Sequence, residues 1–139
     1  SVAAVAADGT PSSYSNYAHG VSICAPGGDS DYHQSPKGKI YSTIPSSASE
    51  DGGNYGYMEG TSQACPHVSG VAALGLSYAA KLHRHFRANE FRKMILESVK
   101  PVEPYFTEMK YIGTQMLHLA KLQPDRWNLL LIQVIWVQD

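Results

Sequence analysis

At 139 residues and 15.2 kDa the chain has the length of one domain and is long enough to bury a core. With 43% hydrophobic and 17% charged residues it has globular rather than disordered composition, and a formal net charge of −1 removes any general electrostatic case for nucleic acid or an anionic membrane. Cys24 and Cys65 are too few for a disulfide framework, and no apolar run has the length of a membrane span.

The two halves differ in character. Residues 1–60 carry a net charge of −4 and are dense in Gly, Pro, Ser and Tyr, whereas residues 61–139 carry +3. Ser1-Val-Ala-Ala-Val-Ala-Ala lacks a basic leader and does not read as a signal peptide. The spacing of apolar runs and turn residues predicts three short strands in the first half: Val2–Ala7, Val21–Ala25 closed by Pro26-Gly27-Gly28, and Lys39–Ile44 closed by Pro45. Asp29–Gly38 and Ser46–Asn54 read as surface loops. From Thr61 the pattern turns helical. Val68–Ala80 is apolar on nearly every face and is expected to lie inside the protein. Asn89 reads as the N-cap of a second helix carrying Phe91, Met94, Ile95 and Val99, stopped by Pro101. Met109, Ile112, Met116 and Leu119 form a third helical stripe ending before Pro124. Trp127–Val137 is apolar on both alternating faces, as a buried strand or a partner-binding segment would be.

The chemistry concentrates in Gly60-Thr61-Ser62-Gln63-Ala64-Cys65-Pro66-His67-Val68-Ser69-Gly70. A serine at the mouth of a helix is well placed to act as a nucleophile. The first N–H groups of a helix lack intrahelical partners, and the helix dipole there favours the negative charge of an oxyanion. Gly60 would let a substrate backbone pass close by, and Pro66 lies near the first turn, where a missing N–H costs least. On local features alone a plain N-cap at Thr61 or Ser62 is the more common role of such residues at a helix start.

That segment resembles the signature around the reactive serine of the subtilisin-like serine proteases, the subtilases. The likeness extends outward in order through Tyr14-Ser15-Asn16-Tyr17, Val21-Ser-Ile-Cys-Ala-Pro-Gly-Gly, Ile40-Tyr-Ser-Thr-Ile-Pro and Tyr55-Gly-Tyr-Met-Glu. It is good to about residue 100, thins around Tyr111-Ile112-Gly113, and is absent after Pro124. The resemblance implies an α/β, subtilisin-like, parallel-sheet three-layer fold of which only the C-terminal half is present. Residues 1–123 would then form that half-domain, and residues 124–139 an apolar tail. Ser62 would be the nucleophile, with its own N–H as one oxyanion donor. Gly60, Thr61, Pro66, His67 and Gly70 would shape the turn and the helix packing, with His67 structural rather than catalytic. Tyr57 and Met58 would lie near the cleft on the leaving-group side. Cys65 stands where the family has small residues, which implies a buried free thiol.

The family's triad runs Asp, His, Ser along the chain. Its Asp and His motifs, and the asparagine that supplies a side-chain oxyanion donor, lie ahead of the region matched here. Asp8 and His19 do not fit them. The resemblance therefore implies a serine endopeptidase whose Asp and His lie outside this chain. Its partners would be a polypeptide substrate and the N-terminal half of the same domain, or another chain covering an exposed sheet edge. The alternative is an inactive subtilase-derived fragment that serves as a structural or interaction module. An α/β-hydrolase elbow is a third reading, with Glu97 or Glu108 followed by His118. It lacks the elbow's second glycine and leaves Pro66-His67 unexplained.

The basic cluster Lys81, His83, Arg84, His85, Arg87, Arg92 and Lys93 reads as a solvated helix end. His83 and His85, two apart on a helix, would make a poor metal pair. No cofactor is implied with certainty. The family admits calcium, although no loop in this sequence is marked for it. An extracellular or cell-envelope location is the family expectation.

Overall fold

The apolar run Val2-Ala-Ala-Val has the pattern of a strand covered on both faces. In the structure, a computed structural model that describes residues 1–16, 21–31, 38–101 and 115–117, it forms such a strand. The elements, numbered in chain order, are β1 (Val2–Val5), β2 (Ile23–Pro26), β3 (Ile40–Thr43), β4 (Tyr55–Met58), α1 (Thr61–Lys81), α2 (Ala88–Glu97), β5 (Val99–Pro101) and β6 (Gln115–Leu117). The larger sheet has the order β1-β2-β6-β5. Strands β1 and β2 run parallel with Ala4 opposite Ala25, β2 runs parallel to β6, and β5 closes the far edge antiparallel to β6. Strands β3 and β4 form a separate antiparallel hairpin with Tyr41 opposite Tyr57.

Side-chain alternation divides β1 and β2 between two faces. Ala3, Val5 and Cys24 cluster with Val21 on one side. On the other, Ala4 and Ala25 meet Ala64 of α1, and Val2 and Val68 pack against them. All three alanines are fully buried. Small side chains at these facing positions let the first turns of α1 settle directly on the sheet. Further along, Ile23, Ile95 and Val99 form a third cluster with Phe91, Leu96 and Ala72 around it.

The three predicted strands of the first half are present with slightly shifted ends. The segment Tyr55-Gly-Tyr-Met that leads to the serine is β4, paired antiparallel with β3. Four expectations are corrected. First, α1 begins at Thr61 and is far from interior: Ala64, Val71 and Ala79 are buried, while Leu74 and Leu76 are 48% and 46% exposed. The sheet covers one side of the helix, and its apolar residues run all the way round. Second, the N-cap of α2 is Arg87 rather than Asn89, with the Glu90 carboxylate accepting the Arg87 N–H at 3.0 Å, and the helix ends at Glu97, so Val99 and Pro101 belong to β5. Third, Gln115–Leu117 is a strand, so Met116 does not belong to a helical stripe; the rest of that stripe lies outside the described residues. Fourth, α1 ends before His83, which adopts a left-handed φ of 54°, so His83 and His85 do not share a helix. Tyr17, His19, Glu108, His118 and the apolar tail 124–139 also lie outside the described residues.

The outer edge of β1 is closed at Ala4 rather than bare. The Ala4 N–H donates to Ser15 Oγ at 3.0 Å, and the Ala4 carbonyl accepts the Ser12 N–H at 3.1 Å. The turn leading into this return is held by Asp8, whose carboxylate accepts both the N–H and the hydroxyl of Thr10.

The two thiols sit in opposite environments. Burial pushes the Cys24 thiol up to about 12, whereas Cys65 is exposed, against the expectation that it is buried. A disulfide-exchange reagent at pH 8 is expected to modify Cys65 in the native chain and Cys24 only after unfolding. Equal rates at both positions in native protein would contradict the burial of β2.

Candidate active site

Strand β4 runs straight into the serine segment, and its last turn is fixed from two sides. Glu59 accepts both the N–H and the hydroxyl of Ser30 at 2.6 Å, with Lys39 Nζ 3.9 Å from the carboxylate. Gly60 donates its N–H to the Gly27 carbonyl at 3.0 Å. Ser30 and Gly27 both follow β2, so the loop at the end of that strand anchors the residues just before Ser62.

Gly60 is the N-cap of α1, which excludes a capping role for Thr61 or Ser62. Its φ of 150° is a conformation that glycine adopts without penalty. Its carbonyl accepts the N–H groups of Gln63 and Ala64 at 3.0 and 3.2 Å. The N–H groups of Thr61 and Ser62 therefore precede the first intrahelical hydrogen bond, and both residues are exposed. A carbonyl oxygen gaining charge beside Ser62 would meet these donors and the positive end of the helix dipole.

Pro66 is the sixth residue of α1 rather than part of its first turn. Lacking an N–H, it removes the intrahelical donor from the Ser62 carbonyl. His67 turns its Nδ1 to the Gln63 carbonyl at 2.7 Å, four residues back on the same helix. A carbonyl only accepts, so the contact puts a hydrogen on Nδ1 and engages that nitrogen away from Ser62. Gly70 lies on the exposed side of α1, where an added Cβ would meet no atom within 4 Å. The close packing expected of it is not made among the described residues.

Tyr57 and Met58 are both exposed, and strand alternation sends them to opposite faces of the hairpin. Tyr57 stands with Tyr41 and Tyr55 in a row of rings whose centroids are 4.7 and 5.7 Å apart. Among the described residues, Ser62 has no hydrogen bond to a histidine or carboxylate. Asp8 is committed to its own turn.

Three supporting groups were not identified from the sequence. Tyr14 donates its hydroxyl to the carbonyls of Gly27 and Gly28 at 2.9 and 2.6 Å. Ser12 donates to Gly28 at 2.8 Å. Asp29, 1% exposed, accepts the Ser13 N–H at 2.5 Å and the Asp31 N–H at 3.1 Å. The available signal was a glycine pair placed directly after a buried strand, which reads equally well as a simple turn.

A family model described as the subtilase family, Peptidase S8, matches residues 1–125. The chain belongs to the subtilase family. An "Extracellular protease" of Xanthomonas campestris pv. campestris is 39% identical over 79 residues, or 56% of this chain and 12% of that protein. A "Thermophilic serine proteinase" of a Bacillus species is 45% identical over 62 residues, or 45% of this chain and 12% of that protein. The chain thus spans about an eighth of the length of these relatives. Among solved structures, a protease of Pseudoalteromonas arctica matches with TM-score 0.65 and 28% identity, covering 87% of this chain and 34% of that one. The patellamide maturation protease PatA matches with TM-score 0.64 and 28% identity, covering 87% and 40%. These neighbours are subtilisin-like proteases, and the subtilase chain described here shares their α/β fold.

Two predictions follow from the geometry of the anchoring loop. A Cβ on Gly27 would stand 2.5 Å from the Ala4 Cβ and 2.8 Å from the Gly60 carbonyl oxygen, neither of which can swing away. Gly27→Ala is expected to destabilise the fold by roughly 1–3 kcal/mol in urea unfolding, and an unchanged midpoint would contradict this contact. Burial also raises the Tyr14 phenol above its ordinary 10.0, partly offset by the Ser12 hydroxyl and the Gly60 N–H. Its protonated form is favoured in the folded state. The stability it contributes is complete below pH 10 and is lost as pH climbs through the raised value. Tyr14→Phe should flatten that alkaline loss; an identical alkaline profile would contradict it.

Proposed function

We propose that this chain is part of a serine endopeptidase of subtilisin type, with Ser62 as its nucleophile. The reading is carried by one observation: Ser62, within the reactive-serine-like segment, stands second in a helix whose leading N–H groups precede the first intrahelical bond. In this reading Ser62 Oγ attacks the scissile carbonyl carbon and its proton passes to a histidine. The carbonyl oxygen becomes negative and accepts the Ser62 N–H. Collapse of the intermediate breaks the peptide C–N bond, the histidine returns the proton to the leaving amine, and water then hydrolyses the acyl ester.

The histidine, and the aspartate that orients it, are proposed to come from outside these 139 residues. They would belong to the N-terminal half of the same catalytic domain or to another chain. The exposed leucines Leu74 and Leu76 on α1 favour such a covering partner. The substrate, a polypeptide as for the family, would place its leaving-group side near the hairpin, by Tyr57 and Met58. Residues 1–123 would form the half-domain and 124–139 a separate apolar tail. Among the described residues, no group of three or more His, Cys, Asp or Glu could hold a metal ion. A calcium ion is proposed only from the family resemblance, and no step above uses one. An extracellular or cell-envelope location is proposed from the family and from the naming of the Xanthomonas relative. No helix among the described residues is long and apolar enough to cross a membrane.

Peptide hydrolysis by the complete protein is expected to fall on the order of a millionfold in Ser62→Ala, and the 139 residues alone are expected to show no turnover. Undiminished hydrolysis in Ser62→Ala would overturn the reading. A complete protein without any hydrolysis would favour the alternative, an inactive structural or interaction module.

A further inference from the structure

Tyr14 lies 48 residues before Ser62 along the chain, yet its hydroxyl reaches the carbonyl that holds the serine turn. The Gly27 carbonyl oxygen accepts two donors, the Tyr14 hydroxyl at 2.9 Å and the Gly60 N–H at 3.0 Å. The same hydroxyl also reaches the Gly28 carbonyl at 2.6 Å. An added Cβ on Gly27 would be only 3.0 Å from the Tyr14 hydroxyl oxygen and 2.8 Å from the Gly60 carbonyl. Phenol, Gly27 peptide and N-cap of α1 are therefore in direct contact. Ser15, the neighbour of Tyr14, binds the Ala4 N–H through its hydroxyl, and Ser12 binds the Gly28 carbonyl. The segment carrying the phenol is thus tied to the sheet on both sides of the ring.

We infer that Tyr14 is a positioning residue for the serine turn: its hydroxyl fixes the direction of the Gly27 carbonyl, which fixes the Gly60 N–H and so the aim of the Thr61 and Ser62 N–H groups. The inference rests on the reading of Ser62 as nucleophile. The physical reason is that a carbonyl at a strand end can tilt, and a tilt there is passed to the next peptide it binds. With the hydroxyl in place the Gly27 carbonyl is held by a second donor besides the Gly60 N–H, and the tilt is opposed. Without it, the Gly27–Gly60 bond survives but is less directed. Oxyanion stabilisation depends steeply on donor direction, because misplacement by about an ångström can cost on the order of a hundredfold in rate. The ring itself is retained in Tyr14→Phe, so the packing of residues 10–15 is not the quantity removed.

The test uses the complete protein, with active sites titrated by a fluorophosphonate so that turnover is expressed per competent serine. Tyr14→Phe is expected to lower kcat per titrated site roughly ten- to hundredfold while KM stays within about twofold. Its affinity for a peptide boronate, which mimics the tetrahedral intermediate, should fall by the same factor as kcat. A role confined to folding would instead lower the number of titrated sites and leave kcat per site unchanged, and that result overturns the inference. Ser62→Ala, run in parallel, separates the two claims. If it abolishes turnover while Tyr14→Phe retains the wild-type kcat per site, the positioning role alone falls. If Ser62→Ala keeps the wild-type rate, the reading of the site falls and the positioning role with it.

Discussion

Everything at the candidate site depends on how closely two backbones approach where β2 ends and α1 begins. Gly27 lies between Ala4 on the sheet and Gly60 at the helix N-cap, with no room for a side chain on either side. That approach lets a single peptide hydrogen bond, Gly60 N–H to Gly27 carbonyl, set the start of the helix. The alanine floor of Ala4, Ala25 and Ala64 serves the same end one turn deeper, because larger side chains there would lift α1 off the sheet. Position of the serine is thus determined by what is absent from its neighbours.

Around this contact the structure adds polar ties rather than bulk. Asp29, Ser12, Ser13 and Tyr14 join the loop after β2 to the return after β1, and Glu59 joins the same loop to β4. A loop held by several charge-assisted or buried hydrogen bonds can keep backbone donors aimed without relying on hydrophobic packing. The ties run between segments far apart in sequence.

Local pattern made part of this legible. Continuous apolar runs bounded by Gly and Pro give away β1 and β2, because a strand buried on both faces needs them and turns need those residues; the mostly exposed β3 shows instead through Ile40, Tyr41 and Thr43 closed by Pro45. The serine segment was legible through its resemblance to the family's reactive-serine signature, and Gly60 is the position in it where a positive φ requires glycine. What escaped reading is long-range: that Tyr14 and Ser12 hold the Gly27–Gly28 carbonyls, and that Gly60 rather than Thr61 caps α1. Neither has a local signature, because each depends on a partner brought in by the sheet. The helix burial was misjudged for a related reason. An apolar surface running all round Val68–Ala80 states what α1 can bury, whereas β1 and β2 here cover a single side of it.

The central claim is that Ser62 is an activated nucleophile, and the most direct measurement is peptide mapping of the complete protein after treatment with a fluorophosphonate probe. The account predicts a single adduct on the peptide containing Ser62, lost when the protein is unfolded before treatment. An adduct confined to a different serine, or equal labelling of folded and unfolded protein, would contradict it.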